Sequence, residues 1–426
     1  MATGCIVHEC IAGGPAVRIG VVSNLYPPHV IGGYEQLCGK VCDELAARGH
    51  EVVVLTSTYG GAATELEGQI VERQLKLLVN EDDIYRPFTA SAQERDEINA
   101  YNRNTLAKFN NRYKPDLWFV WNLYFLDLTI LDELSSFSQP VSLFLTDNWL
   151  IAAQQPHKLG RFFECYVHGP ESFKPASDGM TAEANQPRNA IFGAHFMRNL
   201  YHHFGFRFQS EVVIHNGVQL PMLPSDLFVP RNKLREAGRL KLLFAGRVVD
   251  IKGPQLIVQA LPTIRDSLDL DVSLTIVGDM QDKAFASSLL AAIDTAGCAD
   301  LVTFREPVPE ALLAPLFNDH DIYLFPSLYE PFSLTLIHAV GSGIPTVATD
   351  VGGNEEIVRN GETGLLFDKN STSSLANAII RLATDADLRN RVSVSGRLMA
   401  KRYTFRRMIS RIETELQKTL NRPPTS

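Results

Sequence analysis

The chain lacks any long apolar run and any excess of positive charge. None of its 426 residues falls in an uninterrupted apolar stretch of about 18, so no membrane-spanning helix is expected. The formal net charge of −8 argues against nucleic acid as a main partner, because phosphate backbones select basic surfaces. Residues 1–14 lack the basic start and long apolar middle of a secretory signal, and are interpreted as a loose extension.

Cysteine is scarce as well. The six cysteines form no paired framework, which makes a reducing cytosol the expected compartment. Cys38 and Cys42 stand four apart on a predicted helix, where a metal pair is one interpretation. Both also lie near an apolar stripe, with no His/Cys partner pair nearby, so core packing is favoured and no metal is expected.

What the chain does have is alternation of strand and helix patterns. Hydrophobic content of 45% and charged content of 21% are typical of a soluble globular protein. An apolar run at 18–23, a helical period over 34–48 and a strand at 51–57 predict a parallel strand–helix–strand unit. The pattern breaks at a Pro-rich stretch near 220, and a second series begins at 240. Two α/β domains with a cleft between them are predicted.

Further elements are predicted in both halves. The first half has an irregular insertion, rich in Pro, Gly, His and Ser, at 151–187. It also has a helix over 92–110 and strands at 117–121, 140–145, 189–192 and 211–214. The second half has strands at 240–246, 272–278, 302–304, 322–325 and 346–348, and helices from 254, at 281–296, at 309–317, from 333, and at 373–383, 386–400 and 404–420.

The most informative stretch is 321–358, where a strand and a polar loop lead into a helix that begins near Ser333 and Leu334. The free N–H groups and the positive dipole end of a helix N-terminus suit a phosphate. Glu330 would repel phosphate but can accept hydrogen bonds from neutral hydroxyls, and an acid between apolar runs needs partners. Together these features predict a site for a sugar attached to a diphosphate.

Two cations and two glycines are the next candidates. Arg247 and Lys252 follow a predicted strand, at the edge where ligands collect in α/β sheets, and both could reach one diphosphate. Gly32 and Gly33 precede a helix and leave room for a diphosphate, although paired glycines also simply make turns. Their spacing does not match GxGxxG, which disfavours a dinucleotide-dependent dehydrogenase.

Three further polar residues stay open between two interpretations. His338 lies inside the helix that begins near Ser333, and either faces the cleft or packs in the core. Glu355 and Glu356 follow a pair of glycines, and either approach a ligand or satisfy the dipole of their own helix.

The ends of two strands in the first half carry polar and aromatic residues. Asp147 and Asn148 follow the predicted strand at 140–145 and would stand opposite the sugar site. Trp118, Trp121 and Trp149 could stack on a sugar acceptor, and core packing explains Trp118 and Trp121 equally well.

With these residues in place, the chain resembles the family-4 retaining glycosyltransferases of GT-B architecture. The resemblance spans nearly the whole chain and rests above all on FPSLYEPFSLTLIHAVGSGIPTVATDVGGNEEIVRNGETGLLF, with support from SNLYPP, VVIHNGV, LLFAGRVVDIKG and LTIVGD. It implies an α/β fold of two Rossmann-like domains facing each other across a cleft. The two domains are an acceptor-binding domain at 18–220 and a nucleotide-sugar-binding domain at 221–402. An extension at 1–17 precedes them, and a helix at 403–426 returns to the first domain.

The resemblance also implies roles for individual residues. The implied catalytic residues are Glu330, Arg247, Lys252 and Asp147, with Glu330 on the first acid of the family's Glu–seven–Glu motif. The implied donor-binding residues are Gly32, Gly33, Arg247, Lys252, Glu330, Phe332, Ser333, Leu334 and His338. Three positions depart from the family pattern: His338 replaces the second acid, Ser333 a glycine, and Thr146 a histidine on the acceptor side.

The expected function is retaining transfer of a hexosyl group from a nucleotide-diphosphate sugar to an acceptor hydroxyl, without cofactor or metal. The acceptor is a glycan, a lipid-linked compound or a small molecule. The alternatives are a sugar-nucleotide-binding protein that has lost transfer, a glycoside phosphorylase and a sugar-nucleotide epimerase. The expected location is cytoplasmic. Lys401, Arg402, Arg406 and Arg407 are either a solvated face or a peripheral contact with the inner face of a membrane.

Overall fold

Two parallel sheets organise the chain. The computed structural model describes residues 16–61, 68–79, 88–169, 186–220 and 238–422. The first sheet has seven strands in the order β3-β2-β1-β4-β5-β6-β7. Its strands are β1 (Arg18–Val22), β2 (Glu51–Ser57), β3 (Gln69–Leu75), β4 (Leu117–Val120), β5 (Val141–Leu145), β6 (Gln186–Phe192) and β7 (Phe208–Val213). The helices between them are α1 (Gly33–Ala47), α2 (Ala92–Tyr113), α3 (Thr129–Ser136), α4 (Trp149–Gln154), α5 (Pro156–His168) and α6 (His195–His203).

The second sheet has six strands in the order β10-β9-β8-β11-β12-β13. They are β8 (Arg239–Ala245), β9 (Asp271–Val277), β10 (Val302–Arg305), β11 (Ile322–Phe325), β12 (Thr346–Thr349) and β13 (Leu365–Phe367). The helices of this half are α7 (Pro254–Ser267), α8 (Lys283–Thr295), α9 (Leu313–Asn318), α10 (Leu334–Ser342), α11 (Asn354–Ile357), α12 (Thr372–Thr384), α13 (Ala386–Ala400) and α14 (Phe405–Leu420). The predicted architecture of two α/β domains is confirmed.

The central strands were predictable because they are buried on both faces. Strands β4, β5, β11 and β12 are buried along their whole length, and such strands read as nearly continuous apolar runs. Strand β3 was not predicted. Its sequence, QIVERQL, is half polar because it lies at the edge of the first sheet, where one side faces solvent.

The prediction of an irregular insertion at 151–187 is wrong over its first part. Residues up to 168 form the end of α4 and the whole of α5. Leu159, Tyr166 and Val167 stand at helical spacing and are buried, while Pro156 occupies the start of α5, where its missing N–H costs nothing. The remainder, 170–185, lies outside the described residues, as do the extension at 1–15 and the Pro-rich stretch at 221–237.

Helix α14 packs on the first sheet although it follows the second one in the chain. Phe405, Ile409 and Ile412 share an apolar cluster with strands β1, β2 and β4. Glu413 adds an ion pair with Arg48, Nη1 to Oε2 at 2.8 Å. The first core is therefore completed by a segment that comes after the whole second domain.

Candidate functional site

The N-terminus of α10 meets the glycine loop of the first domain. Ser333 caps the helix, since its Oγ accepts the N–H of Leu336 at 3.1 Å. A hydroxyl at this position satisfies one of the free N–H groups, which gives a structural reason for serine here. Across the cleft, a Cβ added to Gly33 would lie 3.8 Å from Cδ1 of Leu334. Gly33 and Leu334 are thus brought together from opposite domains, and Gly32 is the cap residue of α1.

Lys252 and Glu330 are in direct contact. Lys252 Nζ lies 2.7 Å from Glu330 Oε2, and the Glu330 side chain is only 10% exposed. The turn that carries Lys252 is held against the strand end by glycine, because Gly253 has φ +72° and a Cβ there would lie 2.1 Å from the Pro326 carbonyl oxygen. Lys252, which was predicted to bind phosphate, therefore neutralises Glu330, which was predicted to bind sugar hydroxyls.

Arg247 follows β8 and takes no part in this pair. It is exposed, and within the described part of the chain its side chain makes no hydrogen bond or ion pair. Phe332 is buried, with its ring centroid 5.2 Å from that of His215 in the first domain. Of the implied donor residues, Phe332 is thus a packing residue at the domain junction.

The two glycines that follow β12 approach protein rather than open space. Gly352 has φ +60°, and a Cβ there would lie 2.0 Å from the Glu330 carbonyl oxygen. The Gly353 N–H donates to that same oxygen at 2.9 Å. Gly352 and Gly353 therefore fix the backbone that presents Glu330.

His338 is buried and hydrogen-bonded to an acid that sequence reasoning missed. Its Nε2 lies 3.0 Å from Oε1 of Glu310, and Oε2 of Glu310 pairs with Lys40 on α1 of the first domain. The hydrogen bond from His338 and then the charge of Lys40 lower the pKa of Glu310 to about 2. Glu310 had no distinguishing signal, because its partners lie 28 and 270 residues away in sequence.

Asp147 stands at the end of β5 on the other side of the cleft. Its Oδ1 accepts the Trp149 N–H at 3.0 Å. Burial raises the pKa of Asp147 to about 7, and the negative charge of Glu35 adds to the rise. Such a carboxyl can exchange a proton near neutral pH. Asn148 is buried beside it. Trp118 and Trp121 are fully buried, which supports core packing, and Trp149 is likewise buried, at 1% exposure.

The perturbed pKa of Asp147 predicts a pH-dependent stability. The carboxyl ionises near pH 4 in an unfolded chain but near pH 7 in the fold, so the folded state binds the proton more tightly. The stability that proton binding at Asp147 contributes is therefore fully present below pH 4. This contribution is lost as the pH rises through 7. Asp147→Asn keeps the acceptor for Trp149 but cannot ionise. We expect it to raise the free energy of unfolding by roughly 2–4 kcal/mol at pH 8 and to change it little at pH 4.

Urea unfolding of both proteins at the two pH values measures this difference. Asp116→Asn is the matched control, since Asp116 is an exposed carboxyl that also accepts a backbone N–H, from Arg18 at 2.7 Å. An Asp147→Asn effect of equal size at pH 4 and pH 8 would show that ionisation is not its cause.

Glu356 joins the two domains instead of serving its own helix. Its carboxylate accepts the N–H of His195 at 3.0 Å and of Phe196 at 2.8 Å, so it caps α6 of the first domain. Its Oε2 also lies 2.7 Å from Nε2 of His215. The ligand atoms of His195, His215 and Glu356 lie within 4.8 Å of one another, a spacing that a metal ion could use. Because both oxygens of Glu356 already accept backbone N–H groups, the geometry supports a domain-joining role.

Helix α5 reaches across the cleft beside Glu330. The Tyr166 hydroxyl accepts the Gly352 N–H at 3.0 Å, and the ring of Phe163 packs 4.9 Å from that of Tyr329. These contacts place an aromatic wall from the first domain next to the Lys252–Glu330 pair.

Comparisons with known proteins find a family model, curated relatives and solved structures that are similar to this chain. The family model described as "Glycosyl transferases group 1" covers residues 239–385. Within the second domain, residues 239–385 are therefore similar to this family. The chain is 34% identical over 228 residues to the D-inositol 3-phosphate glycosyltransferase of Arthrobacter sp. (strain FB24), covering 53% of this chain and 52% of the relative. It is 36% identical over 205 residues to the enzyme of that name from Paenarthrobacter aurescens (strain TC1), covering 45% and 49%. The chain thus spans about half the length of the curated relatives it matches.

Solved structures extend the likeness to both domains of the chain. The sucrose-phosphate synthase of Thermosynechococcus elongatus has a TM-score of 0.71 at 19% identity, covering 95% of this chain and 99% of the other. The Anabaena protein Alr3699/HepE, solved with UDP and glucose, has a TM-score of 0.66 at 19% identity, covering 95% and 99%. At this identity the likeness shows the fold, which is GT-B.

The segment that the group 1 model matches contains most of the candidate residues. Arg247, Lys252, Glu310, Glu330 and His338 all lie between 239 and 385. The remaining candidates, Gly32, Gly33 and Asp147, come from the first domain. The second domain therefore supplies the cations and the acid that pairs with Lys252, and the first domain supplies the opposite wall of the cleft.

Proposed function

We propose that this protein is a family-4 retaining glycosyltransferase that moves a hexosyl group from a nucleotide-diphosphate sugar to an acceptor hydroxyl. The observation that carries the proposal is the Lys252–Glu330 pair beside the capped N-terminus of α10, opposite Gly33. A helix N-terminus and a cation suit a diphosphate, while a carboxylate accepts from sugar hydroxyls. The diphosphate and the sugar of the donor would thus bind to adjacent groups of the protein.

Departure of the leaving group is the step that the second domain would assist. Negative charge grows on the diphosphate as the bond from the anomeric carbon breaks, and Arg247, Lys252 and the α10 N-terminus would stabilise it. These positive groups would do the work of a metal, and none is proposed. Glu330 would orient the sugar through its hydroxyls.

Attack by the acceptor would come from the face that the diphosphate leaves. The acceptor oxygen would bond to the anomeric carbon while the carbon–diphosphate bond breaks, which retains configuration without a covalent enzyme intermediate. The acceptor proton would pass to the departing phosphate oxygen or to Asp147, whose pKa is raised to about 7. Asp147 lies in the first domain, and that domain would hold the acceptor.

The known proteins suggest the first compounds to try. HepE was solved with UDP and glucose, which favours UDP-hexoses as donors. The relatives named D-inositol 3-phosphate glycosyltransferase favour a small phosphorylated polyol among the acceptors.

The test is incubation of the purified chain with a panel of UDP- and GDP-sugars, alone and with inositol phosphate or cell extract as acceptor. We expect release of UDP or GDP that requires an acceptor, and a product heavier by one hexosyl unit in mass spectra. Turnover in the presence of EDTA is expected to be unchanged. Binding of nucleotide without any transfer would overturn the proposal in favour of a sugar-nucleotide-binding protein, and transfer that requires free phosphate would identify a phosphorylase.

A cytoplasmic location with peripheral membrane contact is part of the proposal. Lys401, Arg402, Arg406 and Arg407 are exposed, and Leu398 of α13, three residues before Lys401, is 59% exposed. Cations beside an exposed aliphatic residue suit an anionic bilayer surface. Among the described helices none has the length and apolarity needed to cross a membrane. Sedimentation of the purified chain with anionic vesicles measures this contact as the fraction of protein that pellets with the lipid.

A further inference from the structure

The carboxylate of Glu310 is held from both domains at once. His338 binds one oxygen at 3.0 Å from within the second domain, and Lys40 binds the other from α1 of the first. The His338 side chain is 8% exposed, whereas the side chains of Glu310 and Lys40 are 39% and 42% exposed. The histidine is therefore a fixed support, and Lys40 is the partner that can leave.

Glu310 also borders the place where the helix N-terminus meets the glycine loop. A cavity of about 30 Å³ at the domain junction is lined by Gly33, Lys40, Glu310 and Leu334, among others. Such a space holds about one water molecule. A nucleoside is far larger than this space, and the paired side chains of Lys40 and Glu310 stand at its border.

The chemistry of a nucleoside diphosphate fits this arrangement. Its ribose lies next to the phosphates and carries two neutral hydroxyls that donate hydrogen bonds. In dinucleotide sites of α/β proteins an acid holds a ribose hydroxyl while a helix N-terminus holds the phosphates. In this protein Glu310 is an acid that lies beside the N-terminus of α10, and no role has yet been assigned to it.

We propose that Glu310, oriented by His338, receives the ribose hydroxyls of the donor nucleotide in exchange for Lys40. Donor binding would then break a contact between the domains and make a contact to the ligand. The proposal rests on the proposed function, since it assumes a nucleotide donor. It assigns Glu310 as a binding residue, His338 as a positioning residue and Lys40 as a competitor.

Calorimetric titration of the full chain with UDP and with 2′-deoxy-UDP tests the exchange, and GDP with its deoxy analogue serves if UDP does not bind. The wild type is expected to bind the deoxy compound about tenfold more weakly, because a hydrogen bond to a charged acceptor is lost. Glu310→Gln should weaken UDP binding and bring the ratio close to one. Glu310→Asp keeps a carboxylate and should keep a ratio above one.

Lys40→Met separates competition from direct binding. It should bind UDP more tightly than the wild type does, by about threefold to tenfold, with the deoxy ratio retained. Glu306→Gln and Lys108→Met are the matched controls, since both residues are exposed and Glu306 lies four residues before Glu310. Neither control should change the affinity or the ratio.

The outcomes distinguish this inference from the proposed function. Absence of UDP and GDP binding in the wild type would overturn the proposed function and the inference together. Binding with an unchanged deoxy ratio in Glu310→Gln would overturn the inference alone. Weaker binding by Lys40→Met would also overturn it, because Lys40 would then be a ligand of the phosphate. Should Glu310→Gln fail to fold, the Glu310→Asp and Lys40→Met results decide.

Discussion

Arg247→Ala is expected to lower kcat/KM for glycosyl transfer by about 100- to 1000-fold while leaving the melting temperature unchanged. Removing one group that stabilises charge in the transition state typically costs this much. The Arg247 side chain is exposed and has no polar partner in the described part of the chain, so the folded protein loses no contact. Initial rates over a range of donor concentrations and a thermal melt measure the two quantities.

Arg305→Ala is the matched control for this substitution. Arg305 is also an exposed arginine at the carboxyl end of a strand in the same sheet, two strands away from β8. We expect it to change neither the rate nor the melting temperature by a measurable amount. Equal rates for Arg247→Ala and the wild type would remove Arg247 from the donor site.

Gly352→Ala is expected to lower the free energy of unfolding by about 3 kcal/mol or more, and to abolish turnover in the fraction that folds. Two costs combine. A Cβ at φ +60° is strained, and it would lie 2.0 Å from the Glu330 carbonyl oxygen, so the backbone that presents Glu330 must shift. Urea unfolding and steady-state rates measure both effects.

Gly361→Ala is the control that separates backbone strain at positive φ from steric clash of the added Cβ. Gly361 has φ +77°, but a Cβ there would have nothing within 4 Å. This variant should lose only about 1–2 kcal/mol of stability and keep its turnover. If the two alanine variants were equally stable and equally active, the close approach of Gly352 to Glu330 would not matter for the site.

How much the sequence predicted depended on how local the signal was. Strands buried on both faces, such as β4 and β11, were found because all their residues are apolar. The edge strand β3 was missed because solvent on one side permits polar residues. Helix α5 was missed because the content of Pro, Gly, His and Ser at 151–187 was taken to indicate an irregular insertion. One of these prolines, Pro156, stands at the first position of the helix, where it fits without cost.

The same distinction applies to the candidate site. Lys252 and Glu330 follow strand ends in their own stretches of sequence, and this position singled them out separately. Glu310 gave no such signal, and Glu356 was considered only for a ligand or for its own helix. Each acts through partners in the other domain, Lys40 for Glu310 and the N-terminus of α6 for Glu356. Contacts between domains cannot be read from the spacing of residues along one chain.

The packing of α14 on the first sheet has a consequence for biosynthesis. The apolar surface that Phe405, Ile409 and Ile412 cover belongs to strands that leave the ribosome before any of the second domain is made. At usual elongation rates the interval is on the order of ten seconds or more. Throughout that time the nascent first domain exposes this apolar surface to solvent. We therefore expect chaperones to bind it until α14 has been synthesised.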